Sequence, residues 1–249
     1  MEQRTHDTPW DKFAKEDPMF YITTRRKKRW REEDAFWQSG EVTAQFIWDL
    51  VAPHITSYEL AIELGCGIGR LAVPMAKKFN RLKVVDISPH MLQKLRERCE
   101  SFGVGNLSCC LPTDPWWEEP ADFIYSALMF QHLERFEEIE EYVQRIAQCL
   151  RGAAFLQCDT RPRNWFVAAR RMVPDALLPR TQRRGMRRHR RDPDAIRALL
   201  HMVGLRIVAE RDPGTELHVF IVTQRPPPLT PSSLRTTTDA DEREGEDQT

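Results

Sequence analysis

The sequence predicts an α/β fold. The expected form is a three-layer sandwich around a seven-stranded, mostly parallel sheet with one antiparallel strand, plus an N-terminal helical cap. Three observations carry this. From residue 58 onward short apolar runs alternate with amphipathic stretches, the pattern of successive strand–helix units. A glycine-rich turn, Gly65-Cys66-Gly67-Ile68-Gly69, follows the first apolar run. The last two apolar runs are separated by little more than Asp212-Pro213-Gly214, so they form a hairpin and one strand is reversed.

Tyr58–Leu64 reads as the first strand. Ile68–Phe79 reads as a helix, with Pro74 tolerable only near its start or at a kink. Arg81–Asp86 is the second strand. Ser88-Pro89 then supplies an N-cap and a proline at the first helical position. Leu92, Leu95, Cys99 and Phe102 follow at spacings of three and four, and Gly103 stops that helix. Leu107–Leu111 and Phe123–Ser126 are the third and fourth strands. Phe136, Ile139, Val143, Ile146 and Leu150 line one face of a long helix, and Ala153–Cys158 is a fifth strand. Asp192-Pro193 opens a further helix that Gly204 closes, before the strands Leu205–Glu210 and Glu216–Thr223. Residues 1–57 form the cap over part of the sheet's ligand edge, and 58–225 form the main domain with an Arg-rich insertion at 160–191. Residues 226–249 begin PPPLTP, end acidic and are expected to be disordered.

Composition excludes several classes. Hydrophobic residues make up 41% and charged residues 30%, as in globular proteins, and the formal net charge is zero, so no global charge favours nucleic acid or membrane. The charge is uneven: residues 161–191 hold eleven arginines and one acid, Asp175. No run of about 18 apolar residues exists to span a membrane. The N-terminus has no apolar signal core, so a cytoplasmic location is expected. The six cysteines form no CxxC pair, so they read as small core residues in a reducing compartment and no metal site is expected. No motif specifies an oligomeric state.

The glycine turn decides the ligand chemistry. A dinucleotide fingerprint wants G-x-G-x-x-G, but Arg70 stands where its third glycine belongs, and no Gly-Lys-Ser/Thr follows for a P-loop. Glu63, two residues before Gly65, would repel pyrophosphate but attract an ammonium group. The glycines admit close approach of a ligand, and the helix N-terminus beyond them favours a carboxylate. Ammonium beside carboxylate describes an amino acid. Asp86, at the tip of the second strand, can accept from both hydroxyls of a ribose. An amino acid joined to a nucleoside is S-adenosylmethionine.

Glu63-Leu64-Gly65-Cys66-Gly67-Ile68-Gly69, with Val84-Val85-Asp86-Ile87-Ser88, closely resembles the seven-stranded, class I S-adenosylmethionine-dependent methyltransferases over residues 58–159; residues 193–224 match in outline. The resemblance implies strand order 3-2-1-4-5-7-6 with the seventh strand antiparallel. It implies that Glu63 and the loop Gly65, Cys66, Gly67 and Gly69 hold the methionine portion, that Asp86 binds the ribose and that Ile87 packs on the adenine. An acid after the third strand usually meets the adenine amino group; Thr113 holds the aligned position here, and Asp114 follows. The segment from Ser126 to His132, Ser126 on the cofactor side, is where the family lines the methyl-transfer site.

Transfer from a sulfonium needs alignment of acceptor and methyl and the exclusion of water, with a general base useful for a hydroxyl or ammonium acceptor. His132 is the candidate base; its alternative is a helix-start histidine bonded to backbone. The fourth strand is followed by no Asn/Asp-Pro-Pro-aromatic run, the chain has no Pro-Cys nucleophile, and Asp159 with Asn164 is too sparse for a catechol-type metal site. The stretch PRTQRRGMRRHRRDP offers Arg184, Arg187 and Arg188 to an acidic substrate, or is a solvated surface. Arg25–Arg31 is a second basic run, and Trp116-Trp117 either packs under the cap or stacks on ligand. The expected function is methyl transfer to oxygen or nitrogen of a small molecule, acidic ones included. The competing readings are an RNA methyltransferase using the Arg-rich insertion, which lacks interleaved aromatics, and a non-catalytic protein that kept the fold.

Overall fold

A computed structural model of the chain describes residues 8–23, 33–162, 173–174, 177–178 and 185–224. The expectations for the tail 226–249, the basic run 25–31, Asn164 and Arg184 fall outside these residues.

The main domain is one seven-stranded sheet: β1 (Leu60–Leu64), β2 (Arg81–Val85), β3 (Leu107–Cys110), β4 (Ala121–Ser126), β5 (Leu150–Cys158), β6 (Leu205–Arg211) and β7 (His218–Gln224). The spatial order is β3-β2-β1-β4-β5-β7-β6. All neighbouring pairs are parallel except those of β7, which runs antiparallel to both β5 and β6. The tight connection over Asp212-Pro213-Gly214 imposes that reversal; Asp212 and Gly214 take left-handed φ values of 51° and 77°.

Helices cover both faces. The central strands are buried on both sides, so successive residues alternate between two cores. Leu60, Ile62 and Leu64 face one with Ile124 and Phe220; Ala61 faces the other with Phe123, Tyr125 and Phe155. The second core is completed by α3 (Glu33–Val51), α4 (Ala72–Ala76) and α5 (Pro89–Phe102), the first by α6 (Phe136–Cys149) and α7 (Pro193–Met202). Ahead of these lie α1 (Pro9–Glu16) and α2 (Pro18–Thr23). They share a third apolar cluster, Phe13, Ala14 and Tyr21 with Phe36, Ile68, Met91 and Met186.

Local signals account for most element ends. Ser88 caps α5 by accepting from the Met91 amide at 3.2 Å, and Gly103 ends it with φ 65°. Asp192 caps α7 in the same way. Strand β1 starts two residues later than expected and β5 three residues earlier, at Leu150, which leaves the helix face for the strand. Two further expectations differ more. The helix expected over 68–79 shrinks to Ala72–Ala76, because Gly67 and Gly69 take φ of 54° and 88°, which no helix admits, and the chain leaves it through a 3-10 type bond from Lys78 to Met75. Trp116 does not pack under the cap. It is fully buried in the loop between β3 and β4, stacked 6.0 Å from Tyr142 of α6. There it fills the layer that a crossover helix would occupy.

The six cysteines are free, and four of them, Cys66, Cys99, Cys149 and Cys158, are buried. Among the described residues no cluster suits a metal ion, and no helix is long and apolar enough to cross a membrane.

Gly40 tests the packing of α3. A Cβ there would lie 2.1 Å from the backbone oxygen of Arg70. Helix propensity alone favours Ala over Gly by about 1 kcal/mol. Gly40→Ala is nevertheless expected to destabilise the fold, by roughly 1–3 kcal/mol, in denaturant melts. A stabilised variant would refute this close contact.

Candidate active site

The carboxyl-terminal edge of the parallel strands holds a cavity of about 970 Å3. Ligands of open α/β sheets bind at this edge. One part is walled by Glu63, Gly65, Cys66 and Gly67 after β1 and by Val85, Asp86 and Ile87 after β2. The other is walled by Leu128, Met129, His132 and Leu133 after β4, by Gly185, Arg187 and His189, and by Thr8, Pro9, Trp10 and Ile22 of the N-terminal helices and their lead-in. Glu134, Glu138 and Tyr142 close the α6 side.

The glycine loop is shaped by steric necessity. Gly65 and Gly67 have φ of 78° and 54°. A Cβ would come within 2.6 Å of the Met129 side chain at the first and 2.8 Å of the Ile22 methyl at the second. The loop is fixed from below by Gly65 N–H donating to the Val85 carbonyl at 2.7 Å. It is fixed from the side by Gly67 N–H donating to Asp86 Oδ2 at 2.8 Å. The other Asp86 oxygen accepts from Ser88 N–H at 2.9 Å.

Glu63 is 3% exposed and accepts from Tyr125 Oη at 2.9 Å, its register partner on β4. Burial pushes its carboxyl up to about 8, against the opposing Tyr125 hydrogen bond and Arg70 charge, with Asp86 adding to the rise. Burial likewise lifts Asp86 to about 6, opposed by the Ser88 and Gly67 amides. Two carboxyls that resist ionisation at the end of one cavity are poised to gain from a cationic, hydrogen-bond-donating ligand. Burial also raises the Cys66 thiol well above its usual range, which removes it as a nucleophile at neutral pH.

The other expected residues divide. His132 lines the cavity and meets Trp10 edge-on at 5.2 Å. Its Nε2 lies 3.3 Å from the Gln131 amide nitrogen, and the Arg187 backbone hydrogen-bonds to the ring. Burial, then the Arg188 charge, drives its pKa down to about 4, leaving a feebly basic ring. Arg187 lines the cavity; Arg188 does not, and its guanidinium donates to Glu216 at 2.8 Å. Gly69 sits behind the loop against Leu95. Ser126 is fully buried, with its hydroxyl unpartnered and outside the cavity wall. Asp114 also lies outside it, turned back to accept from the Leu111 amide of its own loop at 2.7 Å. His218, in β7, lies in the sheet between Thr160 and Glu210, away from the cavity wall.

Sequence reasoning missed Tyr125, Arg70 and the cap residues. Tyr125 was legible only through strand register. Arg70 is 8% exposed and donates to Ser39 and Thr43 of α3, so the residue that breaks the dinucleotide fingerprint fastens the loop to a helix. Thr8 and Asp11 do carry a capping-box spacing in the sequence.

Residues 61–152 match the family model described as a methyltransferase domain. The match is to that segment, and the fold around it is the seven-stranded one of the class I methyltransferases. The chain resembles magnesium protoporphyrin IX methyltransferase from Synechocystis PCC 6803 with bound SAH, at 16% identity and TM-score 0.60, covering 87% of this chain and 98% of that one. It resembles the CcbJ methyltransferase from Streptomyces caelestis at 19% identity and TM-score 0.56, covering 75% and 90%. An S-adenosylmethionine-dependent methyltransferase from Clostridium acetobutylicum aligns at 15% identity and TM-score 0.57, covering 88% and 100%. At these identities the likeness is one of fold. No curated protein matches the chain in sequence.

The Glu63 shift has a pH consequence. Its carboxyl binds a proton more tightly folded than unfolded, so its stabilising contribution is complete below about 4.5 and lost as pH rises to about 8. Asp86 behaves alike between 3.8 and about 6. Between pH 6 and 8 the ligand-free protein is therefore expected to lose thermal stability relative to Glu63→Gln. Parallel melting curves for the two proteins across that window would contradict the assigned shift.

Proposed function

We propose that the chain is an S-adenosylmethionine-dependent methyltransferase acting on oxygen or nitrogen of a small molecule, and that the Arg187 side of the cavity accommodates an acidic group. The observation that carries the reading is the pair of carboxyls at adjoining strand tips, Glu63 and Asp86, facing one cavity beside a loop whose left-handed turns require its glycines. The fit is chemical as well as steric. Glu63 suits an ammonium, Asp86 retains acceptor capacity for a ribose beyond its two amide bonds, and Ile87 offers an exposed apolar face to a base. Bound there, the cofactor supplies a methyl group on a sulfonium, an excellent leaving group.

The chain's own contribution is then positional. Gly65 and Gly67 admit the amino-acid portion, Met129 and Leu128 wall the transfer region, and Trp10, Pro9 and Ile22 exclude water from the cap side. The His132 ring, held near pKa 4, is a polar wall rather than a strong proton acceptor. An acceptor already nucleophilic, or one that loses its proton to solvent, suits this site. A cavity of about 970 Å3 lies at the upper end of the roughly 300–1,000 Å3 of small-molecule sites and accommodates cofactor and acceptor together.

The Arg-rich stretch favours a small acceptor over RNA. Among the described residues Arg188 is tied to Glu216, Arg190 to the Pro162 carbonyl and Arg191 to the Leu133 carbonyl. Guanidiniums committed to the protein's own groups do not track a phosphate backbone.

Titration calorimetry with S-adenosylmethionine tests the cofactor. Asp86→Ala is expected to weaken binding by roughly 2–3 kcal/mol. Asp86→Asn, which preserves shape and one acceptor, should lose less. Parent-like binding by both variants would remove Asp86 from the site. A screen of metabolite extracts with labelled methyl donor identifies the acceptor. Arg187→Ala should then raise the acceptor's KM and leave cofactor affinity unchanged; an unchanged KM would return Arg187 to a surface role.

A further inference from the structure

Asp11, the third residue of α1, is 1% exposed and takes no part in the chemistry above. A carboxylate this deeply buried must be paired. Its Oδ1 accepts from the Ser88 hydroxyl at 2.6 Å and, at 3.2 Å, from His90 Nδ1, which donates. Its Oδ2 accepts from the Thr8 amide at 3.2 Å and the Thr8 hydroxyl at 3.0 Å. The Ser88 contact falls in the short range of charge-assisted O–H bonds. Burial acts to raise the carboxyl, but the hydrogen bonds from Ser88, His90 and Thr8 outweigh it, so Asp11 stays ionised.

The two ends of this link matter. Ser88 belongs to the turn whose backbone N–H holds Asp86, and it is the N-cap of α5. Asp11 belongs to the helix that carries Pro9 and Trp10 into the cavity wall. Directly after it, α2 lays Ile22 over Gly67, close enough for its methyl to lie 2.8 Å from a Cβ placed there. A ligand seated against the glycine loop is thus overlain by the cap, and the cap is bonded to the turn beside that ligand.

We propose that Asp11 is the latch of a gate: α1 and α2 open and close over the cavity as a unit, and the Asp11 bonds to Ser88 and His90 hold them shut on the nucleoside-gripping turn. The physics makes the gate two-state. Shut, the carboxylate has four donors, two of them from Thr8 on the cap itself; fully open, water replaces the Ser88 and His90 donors. Partly open, Oδ1 is dry and has lost both, which costs the loss of charged hydrogen bonds. Apolar contacts of the cap, in the cluster that holds Phe13, Tyr21 and Met186, can slide by fractions of an ångström; these hydrogen bonds cannot. The inference rests on the proposed cofactor only for the choice of ligand probe.

Two measurements on the full chain test it. In ligand-free protein, hydrogen–deuterium exchange over residues 9–23 should rise about tenfold in Asp11→Ala, the scale of a charged hydrogen bond, with the sheet unaffected. His90→Ala should show a smaller rise. Asp11→Asn should fall between parent and Asp11→Ala, because its amide oxygen still accepts from Ser88. Thr8→Ala, which removes the capping box but spares the latch, should loosen the first turn of α1 alone. Unchanged exchange in Asp11→Ala, or fraying in Thr8→Ala that equals it, overturns the latch. In stopped-flow with S-adenosylhomocysteine, Asp11→Ala should speed both association and release and leave Kd within about threefold. Weaker binding with unaltered association would instead make Asp11 a support of the pocket and refute the gate. Failure of the parent protein to bind S-adenosylhomocysteine would sink the cofactor reading, while the exchange result still decides the latch.

Discussion

Asp86 joins the parts of the site that must stay in register. One oxygen accepts the Gly67 amide of the loop after β1; the other accepts the Ser88 amide of the turn after β2. Ser88 then caps α5 and bonds to α1. A single side chain therefore fixes the separation of two strand tips, the start of a helix and, one step removed, the seat of the cap. The cost is visible in its own chemistry. Burial lifts it to about 6, and the backbone amides of Ser88, Gly67 and Ile87 keep the rise that small. A carboxylate retained under such desolvation holds lone pairs for something beyond the fold.

Glu63 shows the same economy without the amides. Its neighbour across β1 and β4 is Tyr125, whose hydroxyl donates to it at 2.9 Å. One hydrogen bond and the Arg70 charge do not offset full burial, so the carboxyl reaches about 8. A well-packed amide or hydrocarbon at that place would stabilise the empty protein more. An acid kept at that strand tip therefore costs the ligand-free fold stability at neutral pH.

Sequence alone disclosed the scaffold because its signals are local or periodic. The seven apolar runs, the Ser88 cap, the Gly103 stop and the Asp212-Pro213-Gly214 reversal each act within a few residues. The acids Glu63 and Asp86 were legible because strand tips fall at fixed places relative to a glycine turn. Other site expectations depended on where side chains point after a loop, which no period encodes. Asp114 turns back to cap the Leu111 amide, Ser126 drops into the core, and Arg188 finds Glu216 across 28 residues of chain. Tyr125 and Asp11 went unnoticed for the opposite reason: their partners lie 62 and 77 residues away, in register only after the sheet and cap assemble.

The Arg-rich stretch shows why a charge run is weak information. Eleven arginines between 161 and 191 suggest a surface awaiting an anion. Yet Arg161 forks onto buried Asp159 and reaches Glu216, which Arg188 shares, while the Arg191 amide donates to the Asp159 carbonyl. This network welds the end of β5 and the β6–β7 turn to the segment that delivers Gly185, Arg187 and His189 to the cavity. Among the described residues, Arg161, Arg188, Arg190 and Arg191 are thus spent on holding a loop in place at the ligand edge. What the stretch brings to the cavity is one arginine, Arg187, and His189, beside acids supplied by β1, β2 and the α6 side.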